Sequence, residues 1–219
     1  MDVRIILSRV DHTLLQPAST LTEVQQACSE TLQYRMASVI IPPNYVGRIR
    51  KKFGSSLNIG TVVGYPLGFT PSSIKQEETR LAVFDGADEI DLCINQCDLK
   101  NQDYDLIRRE IADIRKACRG HTLKVIVETG AMLPEEKIRM CQIVSHSGAE
   151  YIKAVHSFTT DDTCLEDVGL FRKYLSNDVR ISAAGGILTL ADIQSYIACG
   201  CDRVATPNAV DIMKDLGVF

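Results

Sequence analysis

Short apolar runs alternate with amphipathic stretches of helix length along almost the whole of this 219-residue chain. The runs lie at roughly 38–41, 58–64, 88–94, 123–128, 151–156, 179–184 and 203–206, and Val10-Asp11-His12-Thr13 supplies a first. Runs this short and this apolar suit strands buried on both faces. Helix-length stretches fall between and after them, at roughly 22–34, 43–52, 73–85, 103–118, 134–147, 162–175, 189–199 and 207–215. A strand followed by a helix, repeated at this spacing, predicts a parallel sheet built from right-handed crossovers. Eight such pairs predict a (β/α)8 TIM barrel, with residues 1–219 forming one domain.

Chemical punctuation supports these boundaries. Pro42-Pro43 stops one strand and permits a helix start, and Pro134-Glu135-Glu136 has the same character. Gly148, Gly185-Gly186 and Gly200 mark turns. No Gly-x-Gly-x-x-Gly or Walker pattern is present, which removes the simplest nucleotide-binding reading.

A barrel also dictates where to look for function, because its active site sits at the C-terminal ends of the strands. Polar residues that interrupt the apolar runs are therefore the candidates. Lys153 stands inside Tyr151-Ile152-Lys153-Ala154-Val155-His156. Burial disfavours an ammonium, so such a lysine either pairs with an acid or loses its proton. A deprotonated lysine attacks carbonyls and gives a Schiff base. Asp91 interrupts Asp88-Glu89-Ile90-Asp91-Leu92-Cys93-Ile94. Alternation sends Ile90, Leu92 and Ile94 to one face and turns Asp91 and Cys93 inward. There the carboxylate is either a structural ion-pair partner or a proton relay beside an imine.

Lys124 and Glu128 share one parity in Leu123-Lys124-Val125-Ile126-Val127-Glu128-Thr129, Lys124 deeper and Glu128 near the mouth. Both suit an internal charge network. Lys124 is also the rival nucleophile, and Lys153 is preferred because its expected depth is closer to the mouth. Strict alternation puts His156 on the face opposite Lys153. At a strand end it is open to carrying a proton, capping the strand or pairing with a carboxylate. Asp11, beside His12, suits holding polar geometry better than performing chemistry. Gly185-Gly186 permits close approach and exposed amides, which fit either a phosphate or an ordinary turn. Gly64-Tyr65-Pro66-Leu67-Gly68 forms a constrained loop, with Tyr65 or Phe69 as a pocket wall.

Composition narrows the partners. The formal charge is -4, and the chain has no basic block or metal-finger spacing, so nucleic acid is not expected. No run is long enough to cross a bilayer, and no secretory signal pattern opens the chain. The eight cysteines show no redox or zinc spacing, and several fall within periodic elements. Reduced thiols in a cytoplasm are the expectation.

Seven segments together resemble the deoxyribose-phosphate aldolase family of class I aldolases. They are Val10-Asp11-His12-Thr13-Leu14-Leu15, Val62-Val63-Gly64-Tyr65-Pro66-Leu67-Gly68, Gly86-Ala87-Asp88-Glu89-Ile90-Asp91-Leu92, Leu123-Lys124-Val125-Ile126-Val127-Glu128-Thr129, Tyr151-Ile152-Lys153, Leu165-Glu166-Asp167-Val168 and Ala184-Gly185-Gly186-Ile187. The resemblance implies a (β/α)8 barrel that joins acetaldehyde to glyceraldehyde 3-phosphate reversibly. It implies Lys153 as the Schiff-base lysine and Asp91 as the aspartate that moves protons through water. It implies a homodimer, which no sequence feature fixes.

The pattern departs in several places. The family's second essential lysine, on strand seven, corresponds to Ser182. Lys153-Ala154-Val155-His156-Ser157-Phe158 stands where the family has Lys-Thr-Ser-Thr-Gly-Phe. Ala205-Thr206-Pro207-Asn208-Ala209 stands for Gly-Thr-Ser-Ser-Gly, Leu188 for an arginine and Ile40 for a cysteine. A neighbouring cation keeps a lysine unprotonated, and serine has no charge to do so.

Three readings follow. The first is an aldolase or retro-aldolase acting on a small carbonyl substrate, phosphorylated or not, with no metal or organic cofactor. Its catalytic candidates are Lys153, Asp91, His156 and Ser182, the serine orienting a water. Its substrate-contacting candidates are Asp11, Lys124, Glu128, Tyr65, Gly185, Gly186 and Asn208. The second reading keeps the imine but dehydrates, cyclises or rearranges a specialised metabolite. The third is a non-catalytic, aldolase-like scaffold or regulatory protein.

Overall fold

The computed structural model describes residues 2–156 and 165–215. Eight strands form a closed barrel in sequence order, all parallel, with the eighth pairing back to the first. They are β1 (Val10–Thr13), β2 (Ser38–Ile41), β3 (Ile59–Val63), β4 (Glu89–Cys93), β5 (Thr122–Glu128), β6 (Tyr151–Val155), β7 (Arg180–Ala184) and β8 (Arg203–Thr206). The expected (β/α)8 architecture is therefore the observed one.

Ten helices are described: α1 (Val3–Leu7), α2 (Leu21–Gln33), α3 (Val46–Phe53), α4 (Ser72–Phe84), α5 (Gln96–Lys100), α6 (Tyr104–Ala117), α7 (Pro134–Ser145), α8 (Leu165–Tyr174), α9 (Leu190–Ala198) and α10 (Ala209–Asp215). Two of them, α1 and α5, were not expected. Each has five residues, too few to show a helical period. The stretch expected as one helix from residue 43 begins as a 3-10 turn at Pro43–Tyr45 and becomes α-helical at Val46. The expected helix start at residue 162 lies outside the described residues, as do Cys164, Ser157 and Phe158.

The strand pleat sorts the side chains into two layers. Val39, Ile41, Ile59, Val63, Ile90, Leu92, Val125, Val127, Ile152, Ala154, Ile181 and Val204 belong to the main hydrophobic core. Burial of each large aliphatic side chain contributes about 1.5–3 kcal/mol before entropy is counted. The residues between them point to the barrel axis, and several are charged. Caps define the helix starts. Thr20 and Glu23 form a reciprocal capping box on α2, and Thr189 and Asp192 form one on α9.

Candidate active site

Three carboxylates and three cations meet inside the barrel. Lys124 Nζ lies 2.8 Å from Asp11, 2.6 Å from Glu89 and 3.8 Å from Asp91. Arg203 donates through Nε to Asp11 Oδ1 at 2.8 Å and reaches Glu89 at 3.4 Å. Ser38 Oγ donates to the same Asp11 oxygen at 2.7 Å. Lys153 Nζ donates to Asp91 Oδ2 at 2.6 Å. Each carboxylate therefore has a cation within reach, which offsets the cost of desolvating both.

The electrostatics follow from this packing. Burial alone would push the Asp11 carboxyl up, but Lys124 and Arg203 prevail and hold it well below the usual carboxylate range. Burial would likewise drive the proton off Lys124. Asp11, Asp91 and Glu89 outweigh it and hold the ammonium above the usual lysine range. Lys124 is thus a fixed cation, unsuited to nucleophilic attack. Burial, followed by Asp91, pushes the Cys93 thiol up to about 12, so the thiol stays neutral.

Register separates the two lysines by depth. Lys124 pairs with Asp91, whereas Lys153 pairs with Ile126, two residues further along β5. Lys153 lines a cavity of about 370 Å³ at the C-terminal ends of the strands. Cys93, Glu128, Val155, Ala184, Gly185 and Pro207 share its wall. Lys124, Asp11 and Arg203 lie below this cavity rather than in its lining. Ser182 pairs in register with Lys153, and in a parallel pair such neighbours share a face. Ser182 Oγ and Asp91 Oδ1 are buried and make no hydrogen bond within the protein. Buried polar atoms in that state are rare and cluster where something else completes them.

The mouth is shaped by the loop after β3. Gly64 and Gly68 have φ of +65° and +74°, and Gly68 N donates to Gly64 O at 2.8 Å. A Cβ on Gly68 would sit 2.0 Å from the Ile94 carbonyl oxygen, so only glycine fits there. Tyr65, Leu67 and Phe69 from this loop line the cavity, so both expected wall residues are in it.

Comparison with known proteins gives the chemistry a family. Residues 5–199 match the model of the "DeoC/LacD family aldolase". A deoxyribose-phosphate aldolase from Clostridium botulinum is 44% identical over 209 residues, covering 95% of each chain. One from Streptococcus agalactiae is 41% identical over 215 residues, covering 98% of this chain and 96% of its own. This chain belongs to the DeoC/LacD family of aldolases. Its fold is also that of QR15, an aldolase, with TM-score 0.91 and 28% identity over 96% of this chain and 95% of that one. The tetrameric deoxyribose phosphate aldolase of Aeropyrum pernix has the same fold, with TM-score 0.87 and 24% identity over 97% of this chain and 91% of that one.

As a DeoC/LacD aldolase, the protein makes or breaks carbon–carbon bonds. Within its barrel, Lys153 and Asp91 are in direct contact, and Ser182 is the register neighbour of Lys153. Tyr65, Glu128 and Gly185 line the cavity; Gly186 and Asn208 do not. Asn208 Nδ2 instead donates to the Ile187 carbonyl at 3.3 Å. His156 is also absent from the lining, and its Nε2 lies 2.9 Å from Asp167 Oδ2. Lys137 of α7 grips the same carboxylate, so Asp167 joins the end of β6 to α7 and α8. The Asp167 carboxyl is pushed up by burial, yet hydrogen bonds from Lys137, His156 and Thr129 bring it below the ordinary range.

Two network members, Glu89 and Arg203, were missed. Glu89 shares parity with Asp91, and that signal was available. Arg203 opens its strand, where an arginine reads as a surface residue. Among the described residues, no group of His, Cys, Asp and Glu is arranged to hold a metal ion.

Proposed function

We propose that this aldolase works through a Schiff base on Lys153. One observation supports the reading most: Lys153 joins the interior charge network and the cavity wall, contacting Asp91 at 2.6 Å. The deoxyribose-phosphate aldolase names of its relatives point to acetaldehyde as the donor and an aldehyde as the acceptor.

Asp91 Oδ2 takes the proton of the lysine, and the free amine adds to the donor's carbonyl carbon. The carbinolamine hydroxyl takes the proton back from Asp91 and leaves as water, which gives an iminium. Loss of a proton from the adjacent carbon gives an enamine. The enamine's electron pair forms the new carbon–carbon bond at the acceptor's carbonyl carbon, and the acceptor oxygen takes up a proton. Water then hydrolyses the iminium and restores the amine. Cleavage runs the same steps backwards.

Asp91 moves these protons, with Ser182 Oγ holding the water or hydroxyl through which they pass. Lys124, Arg203, Asp11 and Glu89 fix the position and charge of Asp91 from below. We assign the protein to a reducing cytoplasm, which suits the buried free thiols of Cys28, Cys93, Cys118 and Cys141.

The test is reductive trapping. Borohydride should fix acetaldehyde covalently on the wild-type protein and leave Lys153→Ala unmodified at the site. Undiminished trapping in that variant would move the nucleophile elsewhere.

A further inference from the structure

Carbon–carbon bond formation places negative charge on the acceptor's oxygen. As the enamine's electron pair attacks the acceptor's carbonyl carbon, the carbonyl π pair moves to oxygen. A donor already aimed at that oxygen stabilises the developing alkoxide. The fixed cations Lys124 and Arg203 lie below the cavity, so the donor has to come from the wall.

Register shows which wall residues stand at the right height. Lys153, Ile126 and Cys93 form one row across β6, β5 and β4. The enamine's reacting carbon is two atoms beyond Lys153 Nζ, and the acceptor meets it on the mouth side of that row. Ser182 lies in the Lys153 row, and Asp91, the partner of Lys124, lies deeper. Tyr65 and Glu128 lie past the row. Tyr65 follows Val63, the partner of Leu92, by two residues, and Glu128 follows Ile126 by two. Both line the cavity.

Only one of these two can serve. A carboxylate accepts hydrogen bonds, whereas a neutral phenol donates. Burial, then Cys93 and Glu128, push the Tyr65 phenol above the ordinary tyrosine value, so it keeps its proton. Cys93 and Glu128 are themselves wall residues, so the phenol is turned toward the space they share. Tyr45 and Tyr196 donate to the Ser19 and Gly185 carbonyls at 2.8 and 3.1 Å. The Tyr65 hydroxyl has no such partner among the described residues. Its loop is pinned by the Gly68–Gly64 hydrogen bond and by Gly68 against the Ile94 carbonyl, which holds the ring in place before substrate arrives. Thr13, also on the wall, donates its hydroxyl to the Asp11 carbonyl at 3.0 Å. Gln96, on the wall at the start of α5, is the rival donor.

We propose that Tyr65 is a catalytic residue of the bond-forming step, its hydroxyl donating a hydrogen bond to the acceptor's carbonyl oxygen and stabilising the alkoxide that forms there. This rests on Lys153 being the enamine-forming lysine. The phenol keeps its proton throughout. The proton released from the donor's methyl carbon as the enamine forms, relayed by Asp91, completes the new hydroxyl. In cleavage the same hydrogen bond holds the oxygen of the departing aldehyde.

The experiment separates enamine formation from bond formation. Exchange of the methyl hydrogens of acetaldehyde into D2O reports the enamine. Addition of acetaldehyde to glyceraldehyde 3-phosphate, and to a second acetaldehyde, reports the new bond. Tyr65→Phe keeps the ring and removes the donor. It should leave exchange near the wild-type rate and lower kcat for addition about tenfold or more, since one lost donor to an oxyanion costs up to about 10²–10³. A smaller loss of addition, an equal loss of exchange, or a larger loss of addition in Gln96→Leu overturns the role of Tyr65. Wild-type exchange with addition to neither acceptor also overturns it and leaves the imine standing. Absence of both exchange and a borohydride-trapped adduct on Lys153 in the wild type overturns the imine reading, and the role of Tyr65 with it.

Discussion

Lys153 Nζ rests 2.6 Å from Asp91 Oδ2, and the neighbouring strand presents Ser182 rather than a second cation. A serine cannot drive the proton off Lys153 by repulsion. In the proposed mechanism the adjacent carboxylate of Asp91 accepts it across the 2.6 Å contact. The proposed mechanism leaves Ser182 the task of orienting a water or hydroxyl with its Oγ, which makes no hydrogen bond within the protein. Ser182→Ala should therefore split the two halves of the reaction. Trapping at Lys153 stays near the wild-type level, while turnover falls about tenfold, the cost of one lost orienting hydrogen bond. Equal losses in both assays would assign Ser182 a role in forming the imine.

At the scale of elements, β4 is held from outside by a buried pair that alternation does not reveal. Lys75 on α4 is fully buried, although its neighbour Ile74 is 52% exposed. Lys75 Nζ donates to the Cys93 carbonyl at 2.7 Å and to Glu110 of α6 at 2.8 Å. The pair joins two helices to the strand end that carries Asp91. Burial raises the Glu110 carboxyl above its ordinary range, with Lys75 opposing the shift. Replacing Lys75 with Met leaves that carboxyl buried without its cation and should cost about 3–5 kcal/mol, read by urea unfolding at neutral pH. A loss below about 1 kcal/mol would show that the pair contributes little. Strand and helix order were legible because apolar period and turn residues repeat eight times. This pair was not, because its partners lie on different helices and meet only after folding.

For the whole molecule, the interior network sets the acid limit of stability. The Asp11 carboxyl is depressed in the folded state, so its contribution is fully present above the ordinary aspartate value, about 3.9. It is lost as pH falls below that value towards the folded one. The raised pKa values of Lys124 and Arg203 place their transitions far on the alkaline side. Unfolding free energy should therefore drop below about pH 4, and Asp11→Asn should flatten that drop while lowering stability at pH 7. An unchanged slope in the variant would remove Asp11 as its source.

The sequence exposed the inward lysine and aspartate as breaks in apolar strands, but it held no distances. His156 shows the limit. Its alternation parity already put it opposite Lys153, and its carboxylate partner Asp167 lies across the next connection, on α8.

The most direct measurement is intact mass and peptide mapping after borohydride treatment with acetaldehyde. The account predicts one ethyl group per chain, mapped to the peptide containing Lys153 and absent in Lys153→Ala. A single adduct mapped to Lys124, or no adduct under saturating acetaldehyde, would contradict it.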